Sequence, residues 1–408
     1  MREIKRNKIM DIVFLGILLT LVGGVMFRLF YNQTLGSYMH YPSDMEAYVL
    51  EMQGLESGYE FPYPIFFKFS AFINLFTTPQ MAVALATTLL NCAAMIIVKI
   101  LLDYEFKDIL RERLGGAGCL AGGLISIVSL TLFFVSMLFP PEGIYLPGIK
   151  HDYMGVFSPN PHHNATYMAA RPFAILAFWW CAKLLNVYEN GYKREYRKDY
   201  ILFAVFLLLA TMTKPSFTLI LVGTVGCVLL WRMIRNKCKT FVPTVQFGLC
   251  FVPTFIDLLY QYSGVFVPDE GVEGGIGFTL GEVWAQYCDN IPLAICLAIG
   301  FPLAVLVMNF KSLKTDTVFR FSMQLYLVGF LSTFFLCEKG FRWAHFNFSW
   351  GYMCGVFFAF LGALVLLLRK TAAGEKWWKL MLQWLPYLWH VACGVYYFVG
   401  IAQGKTYY

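Results

Sequence analysis

Charge is what this sequence holds least of. Asp, Glu, Lys and Arg make up 14% of its 408 residues, against 58% hydrophobic residues and a mean hydropathy of +0.59. An average soluble domain is about 25% charged, so that class is excluded. The 11 cysteines include no CxxC pair and no Cys/His cluster at zinc spacing; they lie mostly inside apolar runs and read as packing residues. The glycine-rich segment 271–281 has no strand before it and no Walker lysine, so it reads as a flexible loop or lid and not a nucleotide cradle. No internal repeat relates the two halves, and no small-residue cleavage site follows the first apolar run, 9–31, which therefore reads as a retained span.

Long apolar runs are what the sequence has instead. Hydropathy and basic flanks place spans near 9–31, 80–102, 118–139, 165–188, 200–212, 216–234, 241–262, 291–310, 321–336, 348–369 and 380–400. The expectation is an all-α, polytopic transmembrane bundle of about eleven crossings. Residues 241–408 supply the later spans of this bundle, and no soluble domain is expected. Segment 62–79 reads as an amphipathic helix lying in the interface, with Lys68 reaching toward water. Putting the N-terminus in the cytoplasm places 24 of the 32 Lys and Arg residues on that side, as the positive-inside rule requires.

That orientation gives the outer face the long loops 32–79, 140–164, 263–290 and 337–347, with His40, His151, His162, His163 and His345. Long loops in a compact membrane protein usually carry function. Three stretches stand out there. "YPSDMEAY" (41–48) sets Asp44 and Glu46 one residue apart beside the membrane. "NPHHNATYMAARPF" (160–173) brings His162, His163 and Asn164 to a span boundary and Arg171 one to two turns inside it. "EKGFRWAHFNFSWGY" (338–352) brings Arg342, His345 and Asn347 together with the interfacial aromatics Trp343, Trp350 and Tyr352. Arg171, Lys214 and Arg342 sit near span ends, where a cation is costly to bury and an anion is the usual partner. Either nearby acids or a phosphate would serve, and guanidinium and ammonium groups suit phosphate oxygens well. For Asp44, the plainer role is a helix N-cap, since Ser43 and Asp44 precede the helix-like "MEAYVLEM". Three Asn-x-Ser/Thr triplets, at Asn32, Asn164 and Asn347, are common by chance and carry little weight.

The first loop with its acid-x-acid pair, Asp44-Met45-Glu46, set between the first span and an interfacial helix, resembles that of the GT-C superfamily of integral membrane glycosyltransferases, which use polyprenyl-phosphate-linked sugars. The resemblance covers about the first 240 residues and rests on loose motifs. It implies a sugar donor on a polyprenyl phosphate and a lipid or glycan acceptor, with Asp44 as base and Glu46 in support. Arg171, Lys214 and Arg342 would bind phosphate, aided by His162, His163, Asn164 and His345. It implies an active face outside a cell membrane, most naturally a bacterial plasma membrane, with no cofactor and no nucleic acid partner. The chain departs from the superfamily members that carry a soluble C-terminal domain, so functions resting on such a domain are not implied. A secondary transporter, or a flippase-like subunit for polysaccharide or lipid, is the alternative, because the Lys214-Pro215 break would suit a broken helix.

Overall fold

The computed structural model describes residues 2–37, 39–59, 61–113, 118–138, 158–265 and 275–406. Most of the loop 140–164, with Lys150 and His151, and part of the glycine-rich segment lie outside the described residues.

The described residues fold mainly as helices. In order these are α1 (Arg2–Thr34), α2 (Met45–Met52), α3 (Pro64–Asn74), α4 (Pro79–Arg113), α5 (Gly118–Thr131), α6 (Ala165–Leu185), α7 (Arg197–Thr211) and α8 (Ser216–Arg235). After them come α9 (Phe241–Gly248), α10 (Val252–Val265), α11 (Ile291–Ala298), α12 (Gly300–Met308), α13 (Thr317–Phe335), α14 (Ser349–Ala373) and α15 (Trp377–Ala402). One antiparallel ribbon interrupts them, β1 (Ile276–Phe278) on β2 (Leu336–Glu338), with Ile276 opposite Glu338.

Among the described residues eight helices are long and apolar enough to cross a membrane, or nine if α11 and α12, bent by 77° at Ile299, count as one broken span. The chain is thus a polytopic helical membrane protein, and the eleven crossings expected are not reached. The shortfall is at 118–139 and 200–212. Hydropathy reads both as spans, but α5 has 14 residues and α7 has 15. At 1.5 Å per residue each covers about 21–22 Å of a hydrocarbon core about 30 Å thick. Segment 62–79 folds as the 11-residue α3, too short to cross, with Lys68 exposed.

Helix α14 is the axis of the bundle: 94% of the most apolar window of the span containing it is buried, against 17% for α1 at the periphery. Helix α13 packs tightly on it because glycines meet backbone. A Cβ at Gly329 would lie 2.9 Å from the Gly351 carbonyl oxygen, and one at Gly355 3.0 Å from the Tyr326 Cα. Small residues at such crossings substitute close packing for the hydrophobic force that lipid cannot supply.

Contacts between helix ends define two ends of the bundle. At one, the start of α6 meets Asp44 and the start of α14; at the other, the N-terminal half of α1 meets the C-terminal half of α4 through Asp11 and Lys99. The first loop closes on the last helix at the Asp44 end. There the Tyr41 amide donates to the Gly404 carbonyl at 3.3 Å, and the Tyr41 hydroxyl to that of Ala402 at 3.2 Å.

Candidate functional site

Asn164 organises the Asp44 end. It is the N-cap of α6, its Oδ1 accepting from the Tyr167 amide at 2.9 Å, the usual way to satisfy an orphan donor in the first turn. The same oxygen accepts from the Lys214 Nζ at 3.1 Å and the Thr166 hydroxyl at 3.0 Å. Those donors fix the amide's orientation. Its Nδ2 then donates to Asp44 Oδ2 at 2.6 Å.

Asp44 does stand at the N-cap position of α2, yet its side chain makes no cap hydrogen bond. Ser43 takes part of that duty, its Oγ accepting from the Met45 amide at 3.3 Å. The Asp44 amide is held by the His163 carbonyl at 3.3 Å. Its carboxyl turns inward, and besides Asn164 it accepts from the Tyr48 hydroxyl at 3.4 Å. Tyr48 lies one turn along α2 and also meets the Thr166 hydroxyl at 3.3 Å.

Part of Asp44 still meets solvent, but its carboxyl lies among protein atoms. Burial raises its pKa, opposed by Lys214 and by the Asn164 and Tyr48 bonds. Burial lowers the Lys214 ammonium to about 8, with Asp44 acting in the opposite direction. The two charges feel each other without a direct ion pair; Asn164 and Thr166 stand between them. Lys214 Nζ, in the turn between α7 and α8, also lies 4.5 Å from the Trp350 ring centroid and 6.0 Å from that of Tyr63, contacts that favour a cation.

His162 and His163 are buried beside this cluster, and burial drives both down to about 3, so they remain neutral. His162 packs on Phe398 and His163 on Trp350, with ring centroids 5.0 and 5.8 Å apart. Arg171 lies seven residues beyond Asn164 on α6, roughly 10 Å along the axis. Its guanidinium sits 5.0–5.5 Å from the centroids of Phe133, Tyr167 and Phe357. Nη2 donates to the Pro159 carbonyl at 2.7 Å, while Nε and Nη1, both buried, meet no acceptor among the described residues. A void of about 10 Å³, room for one water at most, lies between Arg171, Lys214, Tyr167, Ser216 and Cys354. It does not extend to Asp44.

The structure therefore brings Asp44, Asn164, His163 and Lys214 into contact, with His162 beside them and Arg171 deeper on the same helix. Glu46 is exposed on α2. Arg342, half-buried, and His345, exposed, lie on a 3₁₀ turn, Gly340–His345, and the bonds joining Asp44, Asn164, Thr166 and Lys214 form without them. Tyr48, Tyr63 and Thr166 complete the cluster and had carried no signal beyond their place in the quoted stretches. Asn164 is buried and fully engaged, which suits a structural amide better than a glycan acceptor. Comparison with family models, with curated proteins and with solved structures finds no match to this chain.

Proposed function

We propose that the chain is a membrane glycosyltransferase that moves a sugar from a polyprenyl-phosphate donor to a lipid or glycan hydroxyl at the Asp44 end, which in this reading faces outward. The observation that carries the proposal is the direction of the Asp44 carboxyl. It leaves the cap of its own helix and points into a buried cluster holding a lysine that is not ion-paired to it. Asp44, its pKa raised toward that of a useful base, takes the proton from the acceptor hydroxyl. The acceptor oxygen bonds the anomeric carbon as the bond from that carbon to the phosphate oxygen breaks, inverting the centre. Lys214 and the two spare Arg171 donors stabilise the departing phosphate. Glu46 has the weaker claim, being exposed, and Arg342 and His345 remain candidates for binding the donor from their own loop. In this reading α5 and α7 also traverse the membrane, giving eleven passes.

The bend between α11 and α12 favours one other reading, a transporter built on a broken helix. Purified protein in proteoliposomes, given a radiolabelled polyprenyl-phosphate sugar and a membrane lipid acceptor, separates the two. Transfer of label to the acceptor with release of polyprenyl phosphate supports the glycosyltransferase. Movement of unaltered solute across the bilayer, with no transfer, supports the transporter.

A further inference from the structure

At the end of the bundle opposite Asp44, a groove of about 460 Å³ is lined by Arg194, Glu195, Arg197, Lys198, Ile201 and Leu202. It lies where a 3₁₀ turn, Arg194–Tyr196, leads into α7. Basic loops are ordinary at a membrane boundary, but here the counter-charges can be accounted for one by one. Asp199 is taken by Lys183 at 2.9 Å and Glu189 by Arg232 at 3.3 Å. Glu195 faces Lys193 at 4.0 Å and also bonds the Tyr196 hydroxyl. Arg194, Arg197 and Lys198, all exposed, form no ion pair among the described residues. In the last connection, by contrast, Arg369 pairs with Asp316 and Glu105, and Lys379 with Glu375.

The groove also has an apolar exit. Ile201 is 50% exposed and Val205, one turn further along α7, 45% exposed. Three uncompensated cations above an apolar strip running along a membrane helix match a phosphate headgroup continuous with an acyl chain. They match a free anion less well, since it would leave the strip idle. We infer that this groove binds the headgroup of an anionic phospholipid, its phosphate held by Arg194, Arg197 and Lys198 and one chain lying along Ile201 and Val205. Guanidinium forks suit phosphate oxygens, and a basic residue near an anionic leaflet is worth on the order of fivefold in binding.

The test uses the full chain in nanodiscs of phosphatidylcholine with a minor share of phosphatidylglycerol, including a photo-crosslinkable phosphatidylglycerol probe. Crosslinked peptide is mapped and retained lipid is counted by native mass spectrometry. Expected is crosslinking to the 194–205 region and selective retention of phosphatidylglycerol, falling on the order of fivefold for each cation removed in Arg194→Gln, Arg197→Gln and Lys198→Gln. Lys237→Gln with Lys239→Gln, exposed basic residues in another loop at the same end, should leave it unchanged. Equal retention of both lipids, undiminished retention in the triple variant, or equal loss in the control variant would overturn the inference. Displacement of the probe by inorganic phosphate alone would also overturn it, assigning the groove to a free anion.

Discussion

At the Asp11 end of the bundle each buried carboxylate touches a cation. Asp11 meets Lys99 at 3.3 Å and also Lys107; Asp103 meets Lys99 and, at 3.9 Å, Lys107. Close by in kind, Arg369 clasps Asp316 and, at 3.1 Å, Glu105. At the Asp44 end a carboxylate and an ammonium are buried in one cluster and kept apart by an amide and a hydroxyl. The first arrangement neutralises its own charge and ties α1 to α4. The second leaves a carboxylate and an ammonium that are not paired with each other, and two guanidinium nitrogens without a hydrogen-bond partner among the described residues. Charge that a fold does not cancel internally is available to a ligand, and it destabilises the empty site in proportion. The contrast separates a structural use of ions from the chemical use proposed for the Asp44 cluster.

The comparison can be broken most severely at the ion network. Lys99→Ala removes the central cation and leaves the buried Asp11 and the partly exposed Asp103 to share Lys107 alone, which should cost about 3 kcal/mol of stability. Lys214→Met should cost far less, because Asp44 can then take up a proton. Unfolding of both variants in detergent, followed by helical circular dichroism, measures the difference. Equal destabilisation would erase the distinction between the two ends.

The next effect is in pH. In the proposed mechanism, transfer requires Asp44 ionised and Lys214 protonated. The rate should therefore fall about tenfold per pH unit as the medium becomes more alkaline than about 8, where Lys214 loses its proton. It should also fall on the acid side as Asp44 gains one, at a pH above the ordinary carboxylate value of about 4 because burial raises it. Lys214→Arg, which stays charged, should remove the alkaline limb. Persistence of that limb in the arginine variant would assign it to another group.

How much of this was legible in the sequence differs by residue for physical reasons. Asp44, Asn164 and Lys214 stood out because polar residues at the ends of apolar runs are few, and helix ends at one face of a bundle must lie close together. The sequence also marked Asp44 as a helix start, and it is one; only the structure shows that Ser43 bonds the helix amide while the carboxyl goes elsewhere. Tyr48 and Thr166 were hidden among residues ordinary at a membrane boundary, although Tyr48 is spaced i+4 from Asp44 and so had to share its helix face. The setting of Arg342 was not legible, because the loop carrying it follows β2, which pairs with β1 sixty residues earlier, a long-range choice that local pattern does not reveal. The span count of eleven exceeds the eight or nine spans seen among the described residues where hydropathy continues past a helix that has ended. Residues Leu132–Phe134 tighten to 3₁₀ geometry and Val135 turns extended, and α7 stops at Thr211 before Lys214-Pro215.

Smaller effects sharpen the roles within the cluster. Asn164→Ser keeps a good N-cap and loses the bond to Asp44, so stability should fall by a few tenths of a kcal/mol at most while transfer drops on the order of tenfold. A loss of stability matching the loss of rate would make Asn164 only a cap. Glu46→Gln, at an exposed position, should stay within about twofold of wild type in the same assay; a collapse of rate would move the base from Asp44 to Glu46.

The most direct test is the rate of sugar transfer from a polyprenyl-phosphate donor by Asp44→Asn, measured beside wild type at matched expression and melting temperature. Asparagine keeps the side chain's size and can still accept from Asn164, but it has neither charge nor basicity. A fall of about 10²–10⁴-fold with folding intact is the expected result. Transfer at or near the wild-type rate in a folded Asp44→Asn protein would contradict it.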